Sequence, residues 1–171
     1  MTAAALLLAR LILGLGLAAH GAQKLFGWFD GPGPKGMAGF MDSLNLRPGM
    51  LFGLAAGLGE VGGGLLVAAG FLGGLGPGLV FVVMITAILT VHIDKGFFTA
   101  KNGWELPAMY VAGALAIDFA GFGAYSLDQA FGITLLQTEQ QRLIVIAIAV
   151  ALALINGSIR WLPRPNAIAA K

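Results

Sequence analysis

Long hydrophobic segments alternate with short polar connections along almost the whole chain. A helix needs about 20 apolar residues to cross the hydrocarbon core of a bilayer. Five segments reach or approach that length, so the pattern predicts an all-α membrane protein with five transmembrane helices. The predicted spans are 3–26, 49–72, 76–95, 106–124 and 140–162.

Two shorter amphipathic segments separate some of these spans. Met37, Phe40, Met41 and Leu44 repeat at helical spacing beside polar residues, which is typical of a short helix lying at the membrane interface. The segment 126–136 opens with a capping-box pattern and is predicted to lie flat as well. The short interfacial helices therefore belong to the loops, and we predict no soluble domain.

Two polar clusters have the spacing of helix caps. Asn102 and Glu105 stand at this spacing before the fourth span, and Thr138 and Gln141 stand at it before the fifth. A Ser, Thr, Asn or Asp followed three residues later by Glu or Gln can satisfy the free N–H groups of a helix start. Both spans are therefore predicted to begin at these clusters.

The composition supports a membrane protein and excludes several kinds of chemistry. Hydrophobic residues make up 58% of the 171 positions, and only 11% are charged, against roughly 25% in soluble domains. Because the chain has no cysteine, disulfides, thiolate nucleophiles and cysteine-ligated metals are excluded, and redox chemistry needs a borrowed cofactor or a partner. The net charge of +2 is small and dispersed, which argues against a nucleic-acid partner.

The basic residues predict an orientation. Lys and Arg are enriched in cytoplasmic loops near the ends of spans. One side of the predicted topology holds only Arg10 and Arg142, so we expect the N-terminus outside and the C-terminus in the cytoplasm. The eight basic residues on the cytoplasmic side are Lys24, Lys35, Arg47, Lys95, Lys101, Arg160, Arg164 and Lys171.

Ionisable residues within the spans are the candidate functional residues. A charged side chain inside hydrocarbon costs about 2.5–3.5 kcal/mol on insertion scales, so each one needs a partner, water or a change of protonation. Arg10, His20 and Lys24 fall on one side of the first helix. Glu60 is the deepest acid, near the middle of the second span.

The sequence allows two protonation states for Glu60. Without a partner its carboxyl group would bind a proton and become a candidate for proton transfer, whereas pairing with Arg10 or Lys24 would keep it charged. The glycines around it, including Gly59 and Gly63, favour close helix packing over a nucleotide loop, because no strand precedes them.

The predicted topology brings several polar residues to one membrane level. The first and third spans end, and the fourth begins, on the same side, so their polar residues could share one vestibule. Simpler roles exist for several of them: lysines can snorkel, Glu105 can act only as a cap, and a histidine can bond a backbone carbonyl. The residues at this level are His20, Lys24, His92, Asp94, Asn102 and Glu105.

Metal and haem sites have little support in the sequence. His20 and His92 lie on different spans and could in principle ligate a b-type haem, but no fixed spacing favours this. No His-Glu-x-x-His motif is present, so we predict no metal site.

Five strings in order carry a family resemblance. The chain contains HGAQKLFG from His20, GLGEVGGG around Glu60, MITAILTVHIDKGFF, NGWELP and GFGAYSLD. Over residues 5–128 it resembles the DoxX family of small bacterial membrane proteins, which is related to DoxD-type oxidoreductase subunits. The resemblance implies a four-helix transmembrane bundle in 1–128. Residues 129–171 then add a loop, a fifth, C-terminal transmembrane helix and a short basic tail.

The resemblance also implies a location and a set of site residues. The expected location is the bacterial inner membrane. The family's polar pattern falls on Glu60, His20 and His92, which we assign to catalysis, and on a second group assigned to cofactor binding. That second group is Arg10, Lys24, Asn102 and Glu105.

The leading functional hypothesis is a membrane-embedded, redox-associated subunit. It would bind a quinone-like molecule, or support proton or electron transfer for a partner oxidoreductase, with Glu60 as proton carrier. Aromatic residues near the same level, such as Trp28 and Trp104, would add apolar surface. The alternative is a non-catalytic scaffold that docks onto a larger membrane complex through the fifth span. A small-solute carrier is a weaker alternative, because a narrow bundle leaves little lumen. Protein partners and homo-oligomers are both compatible with these hypotheses.

Overall fold

The computed structural model describes residues 2–163, and all regular structure within them is helical. The sequence prediction of an all-α protein is therefore confirmed for this part of the chain. The helices are α1 (Thr2–Phe26), α2 (Gly33–Ser43), α3 (Gly49–Ala69), α4 (Leu75–Ala87), α5 (Glu105–Ala120), α6 (Leu127–Phe131) and α7 (Glu139–Ile159). The tail residues Arg164 and Lys171 used in the orientation prediction lie outside the described residues.

Helix α4 does not stop at Ala87. It continues through a π-helical turn, Ile88–His92, and a 3-10 turn, Ile93–Lys95. A second 3-10 turn, Thr99–Lys101, leads into α5. Because of this continuation, the apolar helical segment is 21 residues long, which is enough to cross a bilayer.

Four helical segments within residues 2–163 are long and apolar enough to span a membrane, not the five expected. They are Thr2–Phe26, Gly49–Ala69, Leu75–Lys95 and Glu139–Ile159. The C-terminal helix is thus one of four. The segment predicted as the fourth span forms α5, which has only 16 residues. Gly121 and Gly123 follow it with φ values of +78° and +75°, a conformation that ends the helix although apolar residues continue.

The helix starts follow local capping chemistry in part. Thr138 and Gln141 form a capping box at α7, as predicted, and the Ser126 hydroxyl accepts the N–H of Gln129 at α6. Asn102 does not cap α5, because it adopts a left-handed conformation with φ of 58°. The residue at the N-cap of α5 is Trp104, without a side-chain cap.

Glycines set the spacing of α1, α3 and α4. A Cβ at Gly14 would lie 2.7 Å from the backbone nitrogen of Ala68, so α1 and α3 can cross here only without a side chain. Gly63, on another side of α3, lies against Leu79 of α4. The glycine-rich stretch around Glu60 is therefore a packing surface, as expected.

The helices run in alternating directions and give the molecule two distinct ends. We call the end where α1 ends and α3 begins the cavity end, and the other the Arg10 end. Between them lies an apolar core in which Leu17, Val67, Val80, Phe81 and Ile117 are buried. Helix α2 lies across the cavity end with Met37 and Met41 turned inward, as its amphipathic pattern predicted.

Candidate functional site

An ion pair between Lys24 and Glu60 forms the centre of the site. The Nζ atom of Lys24 on α1 donates a hydrogen bond to Oε2 of Glu60 on α3. The Glu60 residue is 4% exposed, whereas 22% of the Lys24 side chain is accessible. Of the two partners that the sequence allowed for Glu60, the structure selects Lys24.

Local packing explains why these two side chains meet. Gly57 lies one turn before Glu60, and a Cβ there would approach the Cβ of Lys24 to 3.3 Å and the side chain of Leu25 to 2.7 Å. The missing side chain lets the end of α1 lie directly on α3. A long lysine side chain can then extend along the interface to reach a carboxylate near the middle of α3.

A cavity of about 390 Å³ adjoins the ion pair at the cavity end. Most of its wall is apolar and comes from α2, α3, α4 and α5, for example Met37, Phe40 and Phe52. Its polar side chains come from five helical segments and the loop before α5. They are His20, Lys24, Glu60, Thr86, Thr90, His92, Thr99, Asn102, Tyr110 and Asn156.

Both histidines that line the cavity are held through Nδ1. The Nδ1–H of His92 donates to the carbonyl oxygen of Asn102 at 2.6 Å, since a carbonyl can only accept. The Nδ1–H of His20 donates to Oε1 of Gln23 at 3.3 Å, while Nε2 of Gln23 donates to the carbonyl of Phe29. In the neutral rings, Nε2 is therefore the acceptor nitrogen.

The π-helical turn shapes the α4 side of the cavity. Thr90 lies in this turn, is buried and donates its hydroxyl hydrogen to the carbonyl of Thr86 at 2.8 Å. The hydroxyl of Thr86 is buried as well and has no hydrogen-bond partner among the described residues. Single π-helical turns inside α-helices frequently mark functional sites, and here the turn ends at His92.

The structure brings five of the seven predicted site residues into the cavity wall. These five are His20, Lys24, Glu60, His92 and Asn102. Glu105 lies outside, where Oε2 accepts the N–H of Thr99 at 2.8 Å and orders the loop before α5. Asp94, expected at the same level, instead forms an ion pair with Arg160.

Arg10, the seventh residue, lies at the opposite end of the bundle. It is completely buried, and its Nη2 donates to the carbonyl of Tyr125 at 2.9 Å. Its Nε and Nη1 have no hydrogen-bond partner among residues 2–163. The guanidinium contacts Gly70 just after α3, where the negative end of the helix dipole favours a cation.

The predicted aromatic surface does not line the cavity. The ring of Phe26 lies 5.1 Å from that of Trp28 in a tilted arrangement, and the ring of Phe97 lies 4.7 Å from that of Trp104, edge to face. These rings lie on the outside of the cavity end, as interfacial aromatics commonly do. Phe40 and Phe52 supply aromatic surface to the cavity instead.

Five polar residues of the cavity wall were not assigned to the site from the sequence. They are Thr86, Thr90, Thr99, Tyr110 and Asn156. Tyr110 gave no signal at all, because an aromatic residue in an apolar helix is ordinary; in the structure its ring lies 6.1 Å from that of His20, edge to face. Within the described residues, no three His, Asp or Glu side chains come together as a metal site.

Fold and site together define a small α-helical membrane protein with a charged pair beside a partly open, mainly apolar cavity. The model of the DoxX family matches residues 5–93, slightly more than half of the chain. The chain therefore belongs to the DoxX family. The matched residues hold α1 to α4 and the Lys24–Glu60 pair, while Tyr110 and Asn156 lie beyond them. No curated protein and no solved structure matches this chain.

Proposed function

We propose that this protein is a membrane-embedded subunit that binds a quinone-like molecule and supports proton transfer for a partner oxidoreductase. The observation that carries this proposal is the Lys24–Glu60 pair in the wall of a mainly apolar cavity. DoxX is a membrane protein family loosely linked to oxidoreductase-associated roles, and the proposal gives that link a site in this chain.

The cavity fits the head of such a molecule. Small-molecule pockets usually have volumes of about 300–1,000 Å³, with mostly apolar walls and a few polar groups that fix orientation. The volume of about 390 Å³ lies within that range. The buried hydroxyl of Thr86, which has no partner within residues 2–163, is available to an oxygen atom of the ligand.

The four ionisable side chains of the cavity wall each have a task in this proposal. Lys24 has N–H groups left to orient a ligand oxygen after bonding to Glu60, and Glu60 exchanges a proton with that oxygen. His20 and His92 offer acceptor nitrogens to the same ligand. When bound, a quinone would take two electrons from the partner oxidoreductase and two protons, and so become the hydroquinone.

The membrane arrangement is also part of the proposal. Helix α4 ends at the cavity end, whereas α7 begins at the Arg10 end, where Arg142 bonds the carbonyl of Asp118. Helix α5 must therefore pass from one end to the other, and we place it as a short fifth crossing of about 24 Å. With basic loops on the inside, the cavity end faces the cytoplasm of a bacterial inner membrane.

Extraction in mild detergent tests the proposal. The purified protein should retain a quinone that organic extraction and mass spectrometry detect. The Glu60→Gln variant should fold normally and bind added decylubiquinone in lipid nanodiscs about tenfold more weakly, a loss typical of a hydrogen bond to a charged group. Glu105→Gln is the matched control, since that carboxylate lies outside the cavity. Equal binding by wild type, both variants and empty nanodiscs would refute the proposal.

A scaffold role is a second candidate, favoured by the outer face of α7. Ile144, Ile148 and Ile155 project from one side of this helix and are at least half exposed. A partner helix in the membrane could pack there. Alanine substitutions at these three positions should then release a copurifying partner while quinone binding persists. The same changes at exposed Leu8 and Ile12 of α1 serve as the control.

A further inference from the structure

We infer that protons and ligands reach Glu60 from the cavity end alone, so that proton exchange at this site does not cross the membrane. This inference rests on the proposed function, in which Glu60 exchanges a proton with the ligand, and it specifies where that proton comes from. It follows from a continuous apolar layer between the two ends of the molecule.

The apolar layer is present on every helix that connects the two ends. Over the middle of α1, α3, α4, α5 and α7, the sequence contains no polar side chain. Along the helix axes the layer is about 15 Å thick between Arg10 and His20 on α1, and about 12 Å thick between Tyr110 and Asp118 on α5. It consists of residues 11–19, 61–69, 75–85, 111–117 and 143–155.

Within residues 2–163, close packing leaves no water-filled path through this layer. Leu17, Val67, Val80 and Ala114 come from four different helices, and each of them is 0% exposed. A buried water molecule typically makes about three hydrogen bonds to polar groups. The side chains of the layer offer none, and the backbone groups of an α-helix bond one another. Protons and ions therefore meet a dry barrier there.

The cavity lies on one side of this layer and opens away from it. Two residues of the layer, Leu17 and Met84, line the cavity at its inner limit and are buried. Toward the cavity end the wall includes Thr99 and Asn102, which are exposed residues of the loop before α5. The ion pair in the cavity wall is therefore connected to water at that end.

The source of the protons follows from this arrangement. Each ligand molecule that is reduced takes up two protons, and both come from the aqueous phase at the cavity end. None comes from the other end, where Arg10 and Asp118 lie beyond the apolar layer. The same barrier disfavours a small-solute carrier, which would need a polar route through the bundle.

Thiol labelling tests the access route. Because the chain has no cysteine, single-cysteine variants of the whole protein report one position each. Ala56→Cys places a thiol in the cavity wall, and Ala114→Cys places one in the apolar layer. Lys101→Cys and Thr134→Cys mark the cavity end and the Arg10 end, since both residues are exposed in loops. The probe is a membrane-impermeant, cationic methanethiosulfonate, which forms a disulfide with a thiolate and releases methanesulfinate.

The reagent is added to right-side-out and to inverted membrane vesicles from the expression host. One preparation exposes Lys101→Cys and the other exposes Thr134→Cys. Ala56→Cys should react only in the preparation in which Lys101→Cys reacts. Ala114→Cys should react in neither, although all four thiols should react after denaturation in SDS. Labelling of Ala56→Cys from the Arg10 end, or in neither preparation, would overturn the inference, as would labelling of Ala114→Cys in native vesicles.

Proton flux through the wild-type protein gives a second, independent measurement. Liposomes that contain the pH dye pyranine, with or without the protein, are given a membrane potential by a potassium gradient and valinomycin. Proton entry should be equally slow in both, and a protonophore added at the end provides the positive control. Faster entry with the protein that Glu60→Gln abolishes would overturn the inference, because protons would then cross the membrane through Glu60.

The outcomes separate the two proposals. Nanodiscs leave both faces of the bilayer open to the solution, so quinone binding there does not depend on the access route. Loss of quinone binding together with one-sided labelling of Ala56→Cys would refute the proposed function alone. Labelling of Ala56→Cys from both sides together with normal quinone binding would refute the inference alone.

Discussion

At the cavity end, the charge of Lys24 meets that of Glu60 beside a space of about 390 Å³. At the other end, the completely buried Arg10 forms no salt bridge with the described residues and bonds the Tyr125 carbonyl. One end thus joins two side chains across helices next to a cavity. The other binds a side chain to backbone groups of a loop.

The groups that these charged side chains bond indicate a different role for each end of the molecule. Charges that bond backbone groups hold loops and helix termini in place, as Arg142 does at the end of α5 and Asp128 does at the loop after α3. Charges that bond each other beside a cavity add little to stability, because their desolvation offsets their attraction. Replacing both members of the pair at the cavity end should therefore change ligand binding and leave stability nearly unchanged, whereas removing only one member exposes the desolvation cost of the other. Substitutions at the Arg10 end should change stability and leave ligand binding unchanged.

The largest effect is expected from removing one member of the ion pair. Glu60→Leu leaves the Lys24 ammonium without its partner, which should lower the free energy of unfolding by about 3 kcal/mol. Adding Lys24→Met should restore it to the wild-type value or above, since an apolar pair of similar size removes both desolvation costs. Both proteins should fail to bind quinone. Thermal unfolding in detergent and nanodisc binding measure the two effects.

The outcome that contradicts this prediction is a double variant as unstable as Glu60→Leu alone. The ion pair would then stabilise the fold, and the contrast between the two ends would disappear.

The next largest loss of stability is expected from a substitution of Gly70, at the Arg10 end. Gly70 has φ of +63°, and a Cβ there would come within 2.9 Å of Cζ of Arg10. Gly70→Ala should lower the free energy of unfolding by about 2–3 kcal/mol, through left-handed strain and displacement of the guanidinium. Ligand affinity should not change.

Gly132 provides a matched control for the share of this stability loss that comes from left-handed backbone strain. It has φ of +65° at the end of α6 and open space around its Cα. Gly132→Ala should therefore cost only about 1 kcal/mol. If both alanine variants unfold at the same temperature, contact with Arg10 is not what makes Gly70 necessary.

A smaller effect is expected at Asp128. Its carboxylate accepts the N–H groups of Leu72 and Gly73, both at 2.8 Å, and Nε2 of Gln137 at 3.0 Å. Asp128→Asn weakens these bonds and should lower stability by about 1–2 kcal/mol. Asp30→Asn changes an exposed acid and should stay within about 0.5 kcal/mol of wild type. Weaker quinone binding by Asp128→Asn at unchanged stability would contradict the division between the ends.

The sequence predicted most of the fold because hydrophobic length and caps determine it. The span 3–26 became Thr2–Phe26, and the capping box at Thr138 marks the start of α7. The length of α5 could not be read from hydrophobicity, since Phe122 and Ala124 prolong the apolar run. Backbone conformation at Gly121, rather than polarity, ends that helix.

Site residues could be predicted from the sequence where an ionisable side chain lies within an apolar span, because its burial costs free energy. That criterion identified Lys24, Glu60 and His92 within apolar spans. It could not choose between Lys24 and Arg10 as the partner of Glu60, because both lie on one side of α1, about 21 Å apart along its axis. The choice depends on where α1 crosses α3, which Gly57 and other close contacts set in three dimensions. Tyr110 was missed because its hydroxyl becomes informative only beside a cavity.

The smallest effect is expected at Arg160, which joins α7 to the end of α4. It bonds Asp94 and, at 3.5 Å, the carbonyl of Leu89 next to the π-helical turn. Because 54% of the Asp94 side chain is exposed, Arg160→Gln should cost less than about 1 kcal/mol of stability. The turn carries Thr90 and His92 into the cavity wall, so loosening it should speed quinone release about twofold in stopped-flow displacement. Lys101→Gln, an exposed change in the neighbouring loop, should leave the release rate unaltered. A large loss of stability with an unchanged release rate would show instead that this exposed pair acts like the charges at the Arg10 end.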